Sequence, residues 1–123
     1  KPINPHIEDE LGARFWPDLD AMLAAVDIVS VNCPSTPETR HLLSRARLAL
    51  MKPDAYVVNI SRGEIIDEEA LADAIVAGRL AGAGLDVFEK EPRPNARLLS
   101  APNVVLLPHM ASSTIESRLE MGE

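Results

Sequence analysis

Residues Tyr56-Val57-Val58-Asn59-Ile60 run into the turn Ser61-Arg62-Gly63. They are followed by Asp67-Glu68-Glu69, the stripe Leu71, Ala74 and Ile75, and Gly78. The first five are short, β-branched and uncharged, as expected of a strand covered on both faces of a parallel sheet. The three acids stand where a helix macrodipole favours negative charge, which explains them better than metal binding does. The apolar stripe recurs at helical spacing, and Gly78 suits the position just past a helix end. This stretch is therefore strand, turn and helix in succession.

The same alternation extends both ways. Upstream, Asp18 suits an N-cap, with Leu19, Met22, Leu23 and Val26 on one helical face. Ile28-Val29-Ser30-Val31-Asn32 then reads as a strand covered on both faces, stopped at Cys33-Pro34 because proline cannot extend a ladder. Ser44 is a second N-cap, with Leu43 and Leu48 spaced as a hydrophobic staple. That helix ends near Met51, since Pro53 disfavours helical geometry at Lys52. Downstream, Ala83 to Phe88 forms a third strand. Glu89 to Asn103, with Pro92, Pro94 and Pro102, forms a loop with one helical turn near Leu98. Val104 to Leu107 forms a fourth strand, and a last helix starts near Ser112 and runs to the end of the chain. Buried strands alternating with amphipathic helices specify an α/β fold with a parallel sheet.

Composition narrows the function. The 123 residues suffice for one domain. Aromatics are 3%, so Val, Ile, Leu and Ala must build the core. The net charge of −7 argues against nucleic acid or an anionic membrane surface as partner. No apolar run reaches the roughly 20 residues needed to span a bilayer. A single cysteine excludes an intrachain disulfide and a Cys-rich zinc site, and a reducing cytoplasm is the expected compartment.

In an open parallel sheet, ligands bind beyond the carboxyl ends of the strands. Asn32, Cys33 and Pro34 follow the first strand, and Ser61 and Arg62 follow the second. Asp86 lies near the end of the third, with Glu91 shortly after, and His109 follows the fourth at once. A guanidinium, two carboxylates and an imidazole are thus expected on one edge. Taken singly, each has a plainer reading. Arg62 suits a solvated turn, Glu91 a surface loop and His109 a structural histidine. Asp86 within an apolar run needs a partner, and Cys33 suits a small buried apolar residue. His6 and His41 receive no role, and Trp16 reads as packing.

Val58 to Asp67, Gly84 to Pro92 and Leu107-Pro108-His109 resemble, in order and spacing, the three signatures of the D-isomer-specific 2-hydroxyacid dehydrogenases. Val31 to Pro34 and Thr36 to Thr39 fit the same family. Within it, the chain is most similar to the glyoxylate/hydroxypyruvate reductase branch. The resemblance implies the second half of a Rossmann-type parallel sheet with flanking helices over residues 1–111. Residues 112–123 would begin the helix returning to a substrate domain. It also implies that Arg62 binds a 2-oxo acid carboxylate and carbonyl, that His109 is the acid/base and that Glu91 hydrogen-bonds His109. Asp86 would hold the nicotinamide carboxamide. Cys33, Pro34, Ile60, Ser61, Met110 and Ala111 would complete the cofactor-binding surface, Ala111 standing where many members have glycine.

These assignments suit the chemistry. A guanidinium matches a carboxylate bidentately. An imidazole can give the carbonyl oxygen its proton and take it back. The cofactor carries the hydride, so no nucleophile is needed. The implied cofactor is NAD(P)H; Lys1-Pro2 resembles the basic turn of NADP-preferring members, which leans the expectation to NADPH. A homodimer is also expected. The first residues read as mid-chain and the last helix stops without a C-terminal signal, so a piece cut on both sides is expected. The Gly-x-Gly-x-x-Gly that the resemblance implies just upstream is not in the sequence, and the piece is expected to be inactive alone. The strand at Ile28 to Val31 would then be an apolar edge needing cover. Two other readings share the motifs: a formate dehydrogenase, which has Gln where Glu91 stands, and a dinucleotide-sensing corepressor.

Overall fold

The computed structural model describes residues 4–122. Lys1-Pro2, on which the NADPH expectation leans, lies outside them, as does Glu123. Four strands form one parallel sheet in the order β1 (Ile28–Val31), β2 (Tyr56–Asn59), β3 (Gly82–Leu85) and β4 (Val104–Leu106). Val29, Val57, Ala83 and Val104 align across it, as do Val31, Asn59, Leu85 and Leu106. Each crossover carries a helix: α3 (Arg45–Leu48), α4 (Glu68–Val76) or α5 (Ala96–Ser100). Before β1 stand α1 (Pro5–Leu11) and α2 (Leu19–Ala25), and α6 (Ile115–Glu120) closes the chain. Among the described residues, no helix is long and apolar enough to cross a membrane.

Local chemistry explains most boundaries. Asp18 and Ser44 cap α2 and α3 by accepting backbone N–H bonds, as their sequence positions predict, and Asp67, read from the sequence only as a dipole-favoured acid, caps α4 in the same way. Gly78 turns out of α4 at φ +68°. Thr114 caps α6 by accepting from Ser117 N at 3.2 Å, so that helix starts at Ile115 and not near Ser112. The helix capped by Ser44 closes at Leu48, short of Met51. The third strand ends at Leu85, and the side chain of the next residue, Asp86, serves the loop after β4. Helix α1, absent from the sequence expectations, follows an Asn4 cap and a first-turn proline and ends at Gly12, φ +62°.

One face of the sheet is covered. Val29, Val31, Val57 and Leu85 join Leu48, Leu71 and Ile75 in the core. On the other face Ile28 and Val105 are 62% and 63% exposed. The expectation that the strands at 28 and 56 are covered on both faces is therefore corrected at Ile28 and at Tyr56, which is 45% exposed. An uninterrupted apolar run records hydrophobicity on both faces but not what lies against each. Within the helical layer, Asp73 of α4 pairs with Arg45 of α3 at 2.6 Å and with Arg97 of α5. These two guanidinium groups hold its carboxyl below the usual range. Such exposed pairs add little stability, so the apolar contacts beneath dominate.

The turns after β2 and β3 touch without a side chain between them. A Cβ built on Gly63 would lie 1.9 Å from the Phe88 carbonyl carbon and 2.1 Å from its oxygen. Gly63→Ala is expected to destabilise the fold by about 1–3 kcal/mol through this overpacking. Thermal melting of the variant against the unsubstituted protein reads it, and an unchanged midpoint would contradict the close approach.

Candidate active site

The loops leaving the carboxyl ends of the four strands are tied down by polar groups. At β2, Asn59 is 1% exposed and spans its own turn. Its Oδ1 accepts from Ser61 N at 3.1 Å, and its Nδ2 donates to the Arg62 carbonyl at 2.9 Å. Ser61 Oγ donates to the Cys33 carbonyl at 2.5 Å, joining the ends of β1 and β2. Arg62 is left exposed, its guanidinium bonded to the Ser61 carbonyl at 2.7 Å. Ile60 is 50% exposed beside it, and Pro34 is exposed beyond β1.

Asp86, 2% exposed, answers the demand for a partner that its sequence position poses. Its two oxygens accept from Met110 N at 2.8 Å and Ala111 N at 2.9 Å. Two successive N–H groups turned onto one carboxylate bend the chain sharply after β4. His109 sits at that bend with φ +55°, a conformation disfavoured for a residue with a Cβ. Asp86 is thus the anchor of the His109 loop. The Met110 and Ala111 N–H groups are committed to it, which leaves the Met110 side chain, 48% exposed, facing outward.

The bend brings His109 onto Glu91. His109 Nδ1 lies 2.8 and 3.0 Å from the two Glu91 oxygens. Glu91 Oε1 also accepts from Phe88 N at 3.2 Å. The hydrogen bond with His109 holds the Glu91 carboxyl below its usual range, against the opposing effect of burial; the Phe88 N–H and the charges of His109 and Arg62 add to the lowering. The structure therefore joins Glu91 and His109, with Arg62 near enough for its charge to act on Glu91 and with Asp86 behind the bend.

Three features escaped the sequence reading. Asn59 passes there for a strand residue, although a polar residue before Ser-Arg-Gly signals a side chain that ties the turn. His41, given no role, has φ +48° and places Nε2 2.5 Å from Glu89 Oε1. Glu68, attributed to the helix dipole, is 7% exposed and accepts backbone N–H bonds from Glu89 and Asn95.

A chain with this sheet and these groups at its strand ends has the form of a nucleotide-binding domain. The model of the family "D-isomer specific 2-hydroxyacid dehydrogenase, NAD binding domain" matches residues 1–111, and the chain belongs to that family. It is 52% identical over 116 residues to a glyoxylate/hydroxypyruvate reductase B of Pectobacterium carotovorum, covering 94% of this chain and 36% of that one. Among solved structures, apo D-mandelate dehydrogenase of Rhodotorula graminis superposes with a TM-score of 0.94 at 37% identity, covering 98% of this chain and 35% of that one. An NADPH-dependent glyoxylate/hydroxypyruvate reductase of Sinorhizobium meliloti, in complex with NADP and malonate, superposes with a TM-score of 0.86 at 43% identity, covering 89% and 34%. The chain spans about a third of the length of these relatives.

The contact with His109 makes a titration prediction. A depressed carboxyl pKa contributes stability that is present above the ordinary value of 4.5 and lost as pH falls through the lowered folded value. In protein labelled with 13C-glutamate, the Glu91 carboxyl is expected to titrate below 4.5 and to move up toward it in His109→Ala. E91Q identifies the resonance. A midpoint indifferent to His109 would contradict the pairing.

Proposed function

We propose that the protein carrying this chain reduces a small 2-oxo acid, glyoxylate or hydroxypyruvate, to the 2-hydroxy acid with NAD(P)H. The observation that carries this is the His109–Glu91 pair, 2.8 Å apart, formed beside Arg62 at the carboxyl ends of the strands. The relatives' names support the same chemistry over a formate dehydrogenase or a corepressor. Glu91, where the formate enzyme has Gln, adds to that support.

The exposed groups suit the nicotinamide end of such a cofactor. Ile60 and Met110 offer half-exposed apolar side chains at the ends of β2 and β4, with Cys33, Pro34 and Ser61 alongside. Asp86 holds the Met110-Ala111 turn, and each of its oxygens has a further lone pair for the carboxamide. When bound, the cofactor supplies the hydride. Arg62 binds and orients the substrate carboxylate through its planar fork of donors. With Nδ1 turned onto Glu91, His109 presents Nε2 to the carbonyl oxygen and delivers its proton. Glu91 fixes the orientation of the ring through its contact with Nδ1.

The segment after residue 111, with α6 (Ile115–Glu120), leads on this reading toward the substrate domain, and the end of the family match at residue 111 supports it. NADPH is the proposed coenzyme, supported by the NADPH-dependent relative. A cytoplasmic homodimer completes the proposal, with light scattering of the full protein as its check.

The protein carrying the chain, assayed with glyoxylate, hydroxypyruvate and pyruvate against NADH and NADPH, is expected to turn over one of the first two fastest. His109→Ala is expected to lower kcat by about 10²–10⁴-fold, the usual contribution of a general acid. Arg62→Lys is expected to lower kcat/KM by about 10–150-fold through loss of charge-assisted bonds. Turnover that survives the loss of His109 would refute its role, and no turnover of any 2-oxo acid would refute the activity.

A further inference from the structure

Glu91 stands on the loop Glu89 to Asn95, which leaves the sheet after β3 and returns to α5. An exposed, proline-rich loop would not by itself hold a carboxylate in one place. This one closes on itself, Arg93 N donating to the Lys90 carbonyl at 2.9 Å. Both its ends rest on one side chain. Glu68 Oε2 accepts from Glu89 N at 2.7 Å, and Glu68 Oε1 accepts from Asn95 N at 2.6 Å. Glu89 returns the contact, its Oε2 accepting from Glu68 N at 3.4 Å, while its Oε1 meets His41 from the loop after β1.

The helix dipole accounts for an acid at the start of α4, but not for its burial. Exposed Glu69, next in sequence, would serve the dipole as well. Glu68 is 7% exposed, and a carboxylate there is tolerated because both oxygens receive donors. Those donors come from the two ends of the loop that carries Glu91.

We propose that Glu68 is a positioning residue: by gripping Glu89 N and Asn95 N it sets where Glu91 meets His109. The inference rests on the reading of the His109–Glu91 pair as the proton-delivering unit. A carboxylate is needed because it offers two acceptor oxygens. A glutamine offers one and must leave one end of the loop unpaired.

The test follows the Glu91 carboxyl through 13C-glutamate titration of the protein and two variants. Glu68→Gln is expected to move the Glu91 midpoint up toward 4.5 as the contact with His109 loosens. Removing a neighbouring negative charge would by itself move it down, so an upward shift reads geometry. Glu68→Asp keeps the charge but draws the oxygens back by one methylene; a smaller upward shift is expected, readable if E68Q does not fold. If His109→Ala raises the midpoint while a folded E68Q or E68D leaves it in place, the positioning role is overturned and the pairing stands. If His109→Ala itself moves nothing, the pairing reading fails instead. In the unsubstituted protein the Glu89 and Asn95 amides are expected to exchange slowly with solvent; fast exchange of both would overturn the grip without any variant.

Discussion

A parallel sheet delivers four chain directions to one edge, but it does not hold what comes after. The site depends on how the backbone beyond each strand is tied down, and the ties are side-chain oxygens and amides that satisfy backbone groups. Asn59 closes the turn that displays Arg62, Asp86 bends the chain at His109, and Glu68 holds the loop of Glu91. Each is buried, so each bond is made where an unpaired polar group would be costly. Arg62, Glu91 and His109 are exposed, and the groups that place them are not.

This division explains the strain at His109. A left-handed backbone at a non-glycine residue persists only where its surroundings over-determine it. Here two N–H bonds to Asp86 on one side and the contact of the imidazole with Glu91 on the other fix the bend. Gly63 contributes by absence: the lack of a Cβ lets the turn bearing Arg62 lie against the backbone of Phe88, so the second and third loops share one frame.

Much of this was legible beforehand. The four strands, the Asp18 and Ser44 caps and the Gly78 stop follow from local pattern, because caps and turns depend on residues a few positions apart. The approach of Arg62, Glu91 and His109 followed from topology together with family resemblance. The helix at Pro5 to Leu11 has an Asn-Pro start and a glycine stop, but no apolar stripe to mark it in the sequence. The roles of Glu68 and His41 were not readable, since their partners stand far along the chain, 21 and 48 residues away in the case of Glu89.

By itself, then, the sequence determined the alternation of strand and helix, the parallel sheet and the residue types at its strand ends. Those rest on periodicity and on backbone preferences that act within a turn or two. Only the tertiary structure decided which face of the sheet is covered, which carboxylates serve the backbone and which one meets the histidine. A carboxylate's role depends on the donors that folding brings to it, and spacing along the chain does not record them.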